Sequence, residues 1–111
     1  MPDSLRQFKA EIFQSLANAT RIAIVDELRA GALTVGVLAE RLGAEQSNVS
    51  QHLAILRSRQ IVATRKVGNQ VFYSVRDPLI WKILDLMREY FEKQVAESAA
   101  MLESQVEARE P

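Results

Sequence analysis

The chain has 111 residues, of which 48% are hydrophobic and 25% charged, a composition typical of one globular domain with a modest core. It contains no cysteine, which excludes disulfides, thiolate metal sites and thiol redox switches. The N-terminal residues lack an apolar segment of signal-peptide length, and no apolar run approaches the roughly 20 residues that span a bilayer. We therefore expect a cytoplasmic protein that does not insert into a membrane.

The formal net charge is zero, but the charges are unevenly distributed. Residues 1–84 carry eleven Lys and Arg against seven Asp and Glu, whereas residues 85–111 carry three against seven. Within residues 41–84 there are seven basic residues and two acidic ones. Binding to a polyanion needs a locally basic surface rather than a basic total, so the central segment is a candidate for nucleic-acid contact.

The first 31 residues predict two helices. Residues 4–16 carry apolar side chains at helical spacing, and a second helix over residues 21–30 starts after Thr20 as N-cap and ends at Gly31. The apolar stripe of the first helix consists of Leu5, Phe8, Ile12 and Leu16.

Residues 34–59 predict two further helices joined by a tight turn. Thr34 is placed to cap the third helix and Gly43 to end it, and the fourth helix begins about two residues later and runs to about residue 59. Two helices joined so closely cross at a steep angle, which is the helix-turn-helix arrangement.

The fourth helix has two different faces. Val49, Leu53 and Leu56 form a core stripe at positions i, i+4 and i+7. The remaining surface carries hydroxyls, amides and one cation, which pack poorly but suit contact with base edges in a nucleic-acid groove. From the face alone, a solvated helix surface is an equal alternative. The predicted DNA-binding residues of this helix are Gln46, Ser47, Asn48, Ser50, Gln51 and Arg57.

From residue 61 to residue 75 the apolar period becomes two, which predicts a β-hairpin that turns at Gly68 and Asn69. An isolated hairpin is marginally stable in water, so we expect it to pack on the helices through Val71, Tyr73 and Val75. The exposed edge and tip of this wing then present predicted DNA-binding residues Arg65, Lys66, Asn69 and Gln70.

The last helix, predicted over residues 79–104, carries more apolar side chains than a small domain can cover. At 1.5 Å per residue it would be about 39 Å long, and such an overhang favours pairing with a second copy of the chain. Residues 105–111 are expected to form a frayed tail. The predicted dimer-interface residues are Leu5, Phe8, Ile12, Ile80, Ile83, Leu84, Met87 and Phe91. The aromatic residues of this helix could alternatively line a pocket for an inducer.

Neither catalysis nor a cofactor is predicted. His52 is the one histidine, and its position beside the core stripe favours a half-buried structural role over metal binding or general base catalysis. No nucleophile elbow, phosphate-cradling glycine loop or paired acid motif is present. The carboxylates Asp85, Glu89 and Glu92 lie along one side of the last helix, where a solvated face is favoured over a metal site.

Several segments, in this order, resemble the ArsR/SmtB family of dimeric winged-helix repressors. They include LANATRIAIVDEL, TVGVLAERLG, SNVSQHLAILR and VATRKVGNQVFYSV, and the likeness covers roughly residues 10 to 92. The S-x-H-L-x-x-L pattern at Ser50, His52, Leu53 and Leu56 is moderately specific, and the order of the matching segments adds to it. The resemblance implies a homodimer that binds an imperfect inverted repeat near a promoter and releases it when an inducer binds.

The chain departs from this family at three points. Without cysteine and with a single histidine, the Cys or His metal sites of the best-known members cannot be assembled at matching positions. Glu45 replaces a usual Ser or Thr cap and would repel a nearby phosphate, and Gln60 replaces a usual Gly after the fourth helix, which predicts a less comfortable helix end.

Together, these observations predict a mainly α fold with a β-hairpin wing: a single winged helix-turn-helix domain of about five helices over residues 1–104, dimerising through helices 4–16 and 79–104. We expect a sequence-specific DNA-binding regulator that acts as a repressor on double-stranded operator DNA. For its control the sequence leaves four alternatives: a small organic inducer, a hard or carboxylate-bound metal, a partner protein, or no effector at all. The alternative is a protein-interaction adaptor on the same scaffold, which the zero net charge and acidic C-terminal segment keep open.

Overall fold

A computed structural model describes residues 2–109. The chain divides into two compact units, one up to Pro78 and one from Leu79 onward. In chain order the elements are α1 (Pro2–Leu16), α2 (Ala19–Glu27), a 3₁₀ turn (Leu28–Ala30), β1 (Leu33–Thr34), α3 (Val35–Leu42), α4 (Gln46–Ser58), β2 (Val62–Val67), β3 (Gln70–Val75) and α5 (Leu79–Arg109).

The start of α2 differs from the prediction. Asn18, not Thr20, is the N-cap: its Oδ1 accepts hydrogen bonds from the backbone N–H groups of Thr20 and Arg21 at 2.9 and 3.1 Å. Asn and Thr are both good N-cap residues, and Asn18 has the extended backbone that a cap requires. The helix gives way to the 3₁₀ turn after Glu27, and Gly31 follows at φ 140°.

Both predicted ends of α3 are confirmed. The hydroxyl of Thr34 accepts a hydrogen bond from the N–H of Val37 at 3.3 Å, which satisfies one unpaired donor of the first turn. Gly43 ends the helix in the left-handed conformation at φ 61°. The three residues from Gly43 to Glu45 then connect α3 to α4.

The core of the N-terminal unit is formed by α2, the 3₁₀ turn, α3, α4 and the start of the wing. Each of these elements contributes aliphatic side chains that are at most 2% exposed. These side chains are Ile24, Val25, Leu28, Leu38, Val49, Leu53, Leu56, Ile61 and Val62. The predicted core stripe of the fourth helix is thereby confirmed.

The wing is a three-stranded antiparallel sheet in the order β1-β3-β2, not an isolated hairpin. The two residues of β1 pair with β3, Leu33 opposite Tyr73. Tyr73 and Val75 are half-buried, as predicted, but Val71 is exposed, so the expectation that it packs on the helices was wrong. Val71 lies opposite Lys66 near the tip of the hairpin, beyond the reach of the core.

The second unit is α5. Its 31 residues end at Arg109 rather than near residue 104, and none of the residues described in it is buried. The end of the predicted frayed tail, residues 110 and 111, lies outside the described residues. Within residues 2–109 no helix is both long and apolar enough to cross a membrane. The five helices and the wing confirm the predicted winged helix-turn-helix architecture.

Candidate nucleic-acid interface

The exposed surface of α4 is mostly polar, with one cation, Arg57, and one large apolar side chain, Ile55. While Val49, Leu53 and Leu56 are fully buried, the predicted DNA-binding residues of this helix are all exposed. They are Gln46, Ser47, Asn48, Ser50, Gln51 and Arg57. The structure therefore places these six side chains on the solvent side of one helix.

The N-terminus of α4 has no side-chain cap. Glu45 occupies the cap position with extended backbone, but its carboxylate accepts no capping hydrogen bond. Its carbonyl accepts the first helical hydrogen bond, from Val49 N–H at 3.1 Å. The N–H groups of the first turn therefore remain available to an acceptor outside the helix.

The C-terminus of α4 turns sharply and leads into the wing. The N–H of Gln60 donates to the carbonyl of Arg57 at 2.9 Å, and the N–H of Ile61 donates to Leu56 at 3.0 Å, the two bonds of a Schellman motif. This motif requires a left-handed residue, and Gln60 adopts φ 60°. Gln60 thus adopts the conformation in which a residue with a Cβ is disfavoured, and the less comfortable helix end stays a prediction. The side chain of Gln60 accepts a hydrogen bond from Arg76, which follows β3.

The wing turns at Gly68, which has a φ of 61°, a left-handed conformation that glycine adopts without steric cost because it has no Cβ. The strands β2 and β3 pair from Val62 opposite Val75 to Val67 opposite Gln70. Two cations near the end of β2 and two amides at the tip are exposed. These are the predicted wing residues Arg65, Lys66, Asn69 and Gln70.

The cations of the N-terminal unit fall into two groups. Some form ion pairs between elements: Arg59 pairs with Glu11 of α1 at 3.1 Å, and Arg41 pairs with Glu27 of α2 at 3.5 Å. By contrast, the side chains of Arg57, Arg65 and Lys66 have no hydrogen-bond or ion-pair partner among the described residues. These three cations are exposed and remain available to an external anion.

His52 is half-buried and hydrogen-bonded, as predicted. Its Nδ1 lies 3.3 Å from the guanidinium of Arg21, which also donates to the carbonyls of Ser15 and Gln14 at 2.5 and 3.4 Å. Arginine cannot accept a hydrogen bond, so Nδ1 is the acceptor and the ring proton lies on Nε2. One side chain thus ties the end of α1 to the flank of α4.

A cleft of about 380 Å³ separates α4 from β3. Five residues of α4 and one of β3 line it: Ser50, Leu53, Ala54, Arg57, Ser58 and Tyr73. No carboxylate is among them. The sequence predicted that Tyr73 packs on the helices but not that it lines a cleft with α4, because these residues come together only in the folded chain.

Apolar side chains are exposed on both helices of the predicted dimer interface. Leu5 and Phe8 of α1 and Met87 and Phe91 of α5 are 52–66% exposed. The other four predicted interface residues are less exposed: Ile12, Ile80, Ile83 and Leu84. Further along α5, Val95, Leu102 and Val106 continue the exposed apolar surface.

Among residues 2–109 no three His, Cys, Asp or Glu side chains come together in a group that could hold a metal ion. Asp85, Glu89 and Glu92 of α5 therefore form no such group. Glu92 instead accepts a hydrogen bond from Arg88 at 2.9 Å, an ion pair one helical turn apart on an exposed surface.

Comparison with known proteins supports this geometry. A family model described as a helix-turn-helix domain matches residues 16–65. The chain is 36% identical over 102 residues to the uncharacterized HTH-type transcriptional regulator Rv0081 of Mycobacterium tuberculosis, covering 91% of this chain and 90% of that one. The crystal structure of Rv0081 matches with a TM-score of 0.77 at 35% identity over 86% of this chain and 96% of its own.

Two further solved structures have the same fold. The crystal structure of NolR from Sinorhizobium fredii matches with a TM-score of 0.74 and 32% identity, over 81% of this chain and 90% of that one. The homodimeric winged helix-turn-helix DNA-binding domain Mb0332 of Mycobacterium bovis, solved by solution NMR, matches with a TM-score of 0.78. Its identity is 23%, over 86% of this chain and 89% of its own, so this likeness is one of fold.

Proposed function

We propose that this chain, which belongs to the ArsR/SmtB family of winged helix-turn-helix transcriptional regulators, represses transcription in the cytoplasm as a homodimer bound to an inverted-repeat operator. Membership in the family makes it a DNA-binding regulator; repression, the operator and the residue roles are the proposal. The observation that carries it is the exposed polar face of α4, flanked by cations that have no partner among the described residues.

The exposed face of α4 reads bases in the major groove. Gln51 can pair bidentately with adenine through its amide, and the hydroxyls of Ser47 and Ser50 reach base edges or phosphates. Gln46 and Asn48 lie in the first turn of the same helix and add amide groups at its N-terminal end. Since these groups are uncharged, they supply discrimination between sequences more than affinity.

Affinity comes from the unpartnered cations. Arg57 at the end of α4 and Arg65 and Lys66 on the wing contact phosphates, which set the register of the protein on the duplex without reading its sequence. Asn69 and Gln70 at the wing tip lie next to these cations and can reach the backbone or the adjacent minor groove.

Two copies of the chain bind together through α1 and α5. The exposed Leu5, Phe8, Met87 and Phe91 offer apolar surface that a second copy would remove from water. A two-fold axis would place the two α4 helices in successive major grooves about 34 Å apart, the spacing of one helical turn. An inverted repeat in the operator would mirror that symmetry.

Control of DNA release uses chemistry other than Cys or His metal ligation. The chain has no Cys and one His, and the Nδ1 of that His already accepts a hydrogen bond from Arg21. An inducer, whether a small organic molecule or a partner protein, would have to bind the DNA-competent and DNA-released states with different affinity. The exposed aromatic surface of α5 is where such a ligand would act on the dimer.

The test compares two alanine variants on two duplexes, the DNA upstream of the gene for this chain and a scrambled duplex of equal length. Gln51→Ala should lower the preference for the upstream duplex, because a good bidentate base contact contributes about 1–3 kcal/mol of discrimination. Lys66→Ala should weaken binding to both duplexes alike. Fluorescence anisotropy measures all four affinities, and the reverse pattern would overturn the assignment of the two surfaces.

A further inference from the structure

We propose that the cleft between α4 and β3 is a seat for one phosphate of the DNA backbone, in which the hydroxyl of Tyr73 donates a hydrogen bond beside Arg57 and Ser50. This proposal rests on the proposed function, because it requires that α4 meets a duplex. It adds a contact on the inner part of the wing, between the recognition surface and the cations of β2.

The donors in the cleft are unpaired. Arg57, Ser50 and Tyr73 have no side-chain hydrogen-bond or ion-pair partner among the described residues. The remaining hydroxyl in the lining, that of Ser58, already donates to the carbonyl of Ile55 at 2.6 Å. A guanidinium with two free hydroxyls and no carboxylate is a donor set that suits a phosphodiester oxygen.

The hydroxyl of Tyr73 is accessible although its residue is half-buried. No buried side-chain nitrogen or oxygen among the described residues lacks a hydrogen-bond partner. The unpaired phenol oxygen is therefore not sealed inside the protein. Tyr73 lines the cleft, and tyrosine, with its apolar ring and polar end, is a residue typical of wet interfaces.

The backbone on both sides of the cleft is held rigidly. Tyr73 lies on the central strand, where it pairs with Leu33 of β1 on one side and Thr64 of β2 on the other. Across the cleft, Arg57 follows the fully buried Leu56 on α4. Ordering a phosphate between two fixed elements costs less entropy than ordering it on a flexible loop.

The occupant is a phosphate of the duplex rather than a free anion. The cleft opens on the same surface of α4 that carries Ser50, a predicted base-reading residue. A duplex engaged on that surface therefore brings its backbone to the cleft mouth. A free phosphate would use the same donors without help from neighbouring contacts, and the experiment separates the two sources.

The test is Tyr73→Phe, which removes the hydroxyl and keeps the ring. Since a hydrogen bond to a charged acceptor is among the stronger kinds, affinity for both the upstream and the scrambled duplex should fall at least about tenfold. The hydroxyl is uncharged, so the dependence of affinity on salt should keep the wild-type slope. Arg57→Gln should instead lower that slope, by roughly 0.9 for each phosphate that the variant no longer neutralises.

Ser74→Ala is the matched control, since it removes the hydroxyl of the next residue on β3, whose side chain lies on the opposite face of the sheet from that of Tyr73, and it should leave DNA affinity unchanged. Thermal unfolding of both variants checks that the fold is kept. If the wild type binds DNA and Tyr73→Phe binds equally tightly, or loses affinity for the upstream duplex alone, the phosphate seat is wrong while the proposed function stands. A wild type that binds neither duplex would remove both.

A second arm adds inorganic phosphate to the wild type without DNA. The seat as proposed should show no saturable shift of the Tyr73 ring resonances at millimolar phosphate, because a lone ion lacks the neighbouring contacts of a duplex. Saturable binding that also releases DNA would identify the cleft as a site for a free anion and contradict the proposal.

Discussion

The side chain of Arg21 connects the end of α1 to the flank of α4. Its guanidinium reaches two carbonyls at the end of α1 and the Nδ1 atom of His52. Because the partner of Nδ1 can only donate, the imidazole is held as the tautomer with its proton on Nε2. Arg21 is therefore a positioning residue for α4, acting through the ring of His52.

The tautomer of His52 can be observed directly, because the chain has a single histidine. At mildly alkaline pH, the ¹⁵N resonances of the wild-type ring should show an unprotonated Nδ1 and a protonated Nε2. Arg21→Gln should shift the ring toward a mixture of tautomers, since a side-chain amide can also accept. A proton on Nδ1 in the wild type would contradict the contact.

The sequence predicted the environment of His52 but not its hydrogen-bond partner. The position of His52 beside the core stripe of α4 was enough to expect a half-buried, hydrogen-bonded ring. Its partner could not be found, because Arg21 lies 31 positions away and the helical period of α2 says nothing about α4. The same limit applies to Tyr73, whose place in the cleft depends on the pairing of three strands.

At the scale of elements, two helices of the N-terminal unit end in the same way with different residues. After α3, Gly43 N–H donates to Glu40 and Ala44 N–H donates to Ala39, at 3.2 and 3.0 Å. After α4, Gln60 and Ile61 make the equivalent bonds. Gly43 and Gln60 have φ angles of 61° and 60°. The same left-handed conformation is therefore adopted by a residue without a Cβ after α3 and by a residue with a Cβ after α4.

Through backbone conformation alone, Gln60→Gly should therefore stabilise the protein by about 0.5–1 kcal/mol; the variant also removes the exposed side chain that accepts a hydrogen bond from Arg76. A left-handed residue with a Cβ costs roughly 1–2 kcal/mol, and the greater freedom of glycine in the unfolded chain returns about 0.4–1 kcal/mol of this. Urea unfolding at one fixed protein concentration measures the difference.

Gly43→Gln is the matched control for the end of α3. A Cβ at Gly43 would meet no atom within 4 Å, so the cost is one of backbone conformation alone, and we expect a loss of about 1 kcal/mol. Gln60→Asn provides a second control, because asparagine tolerates the left-handed region better than glutamine. If Gln60→Gly leaves the free energy of unfolding unchanged while Gly43→Gln lowers it, the end of α4 is not strained.

The sequence predicted the end of a helix correctly where only one nearby residue was suited to cap it. Thr34 and Gly43 had such roles and are confirmed. Asn18 and Thr20 were both suitable caps, and propensity could not choose between them. The two residues of β1 are too few to show a period, so the sequence predicted a hairpin where the structure has three strands.

In the proposed dimer, the polar face of α4 and the exposed cations have different roles in DNA binding. The polar face of α4 supplies sequence preference, while Arg57, Arg65 and Lys66 supply affinity, three cations for each protomer and six for a dimer. A zero net charge does not oppose this, because the acidic residues are concentrated beyond residue 84, away from the sequence of the helix-turn-helix and wing.

Binding of the dimer to the DNA upstream of its own gene, followed by fluorescence anisotropy between 50 and 200 mM salt, is the most direct test of the operator binding on which the proposed repression depends. Neutralising about six phosphates predicts saturation at two chains per duplex and a loss of affinity of about 10³-fold across this range. A complex insensitive to salt, or no binding to that DNA, would contradict it.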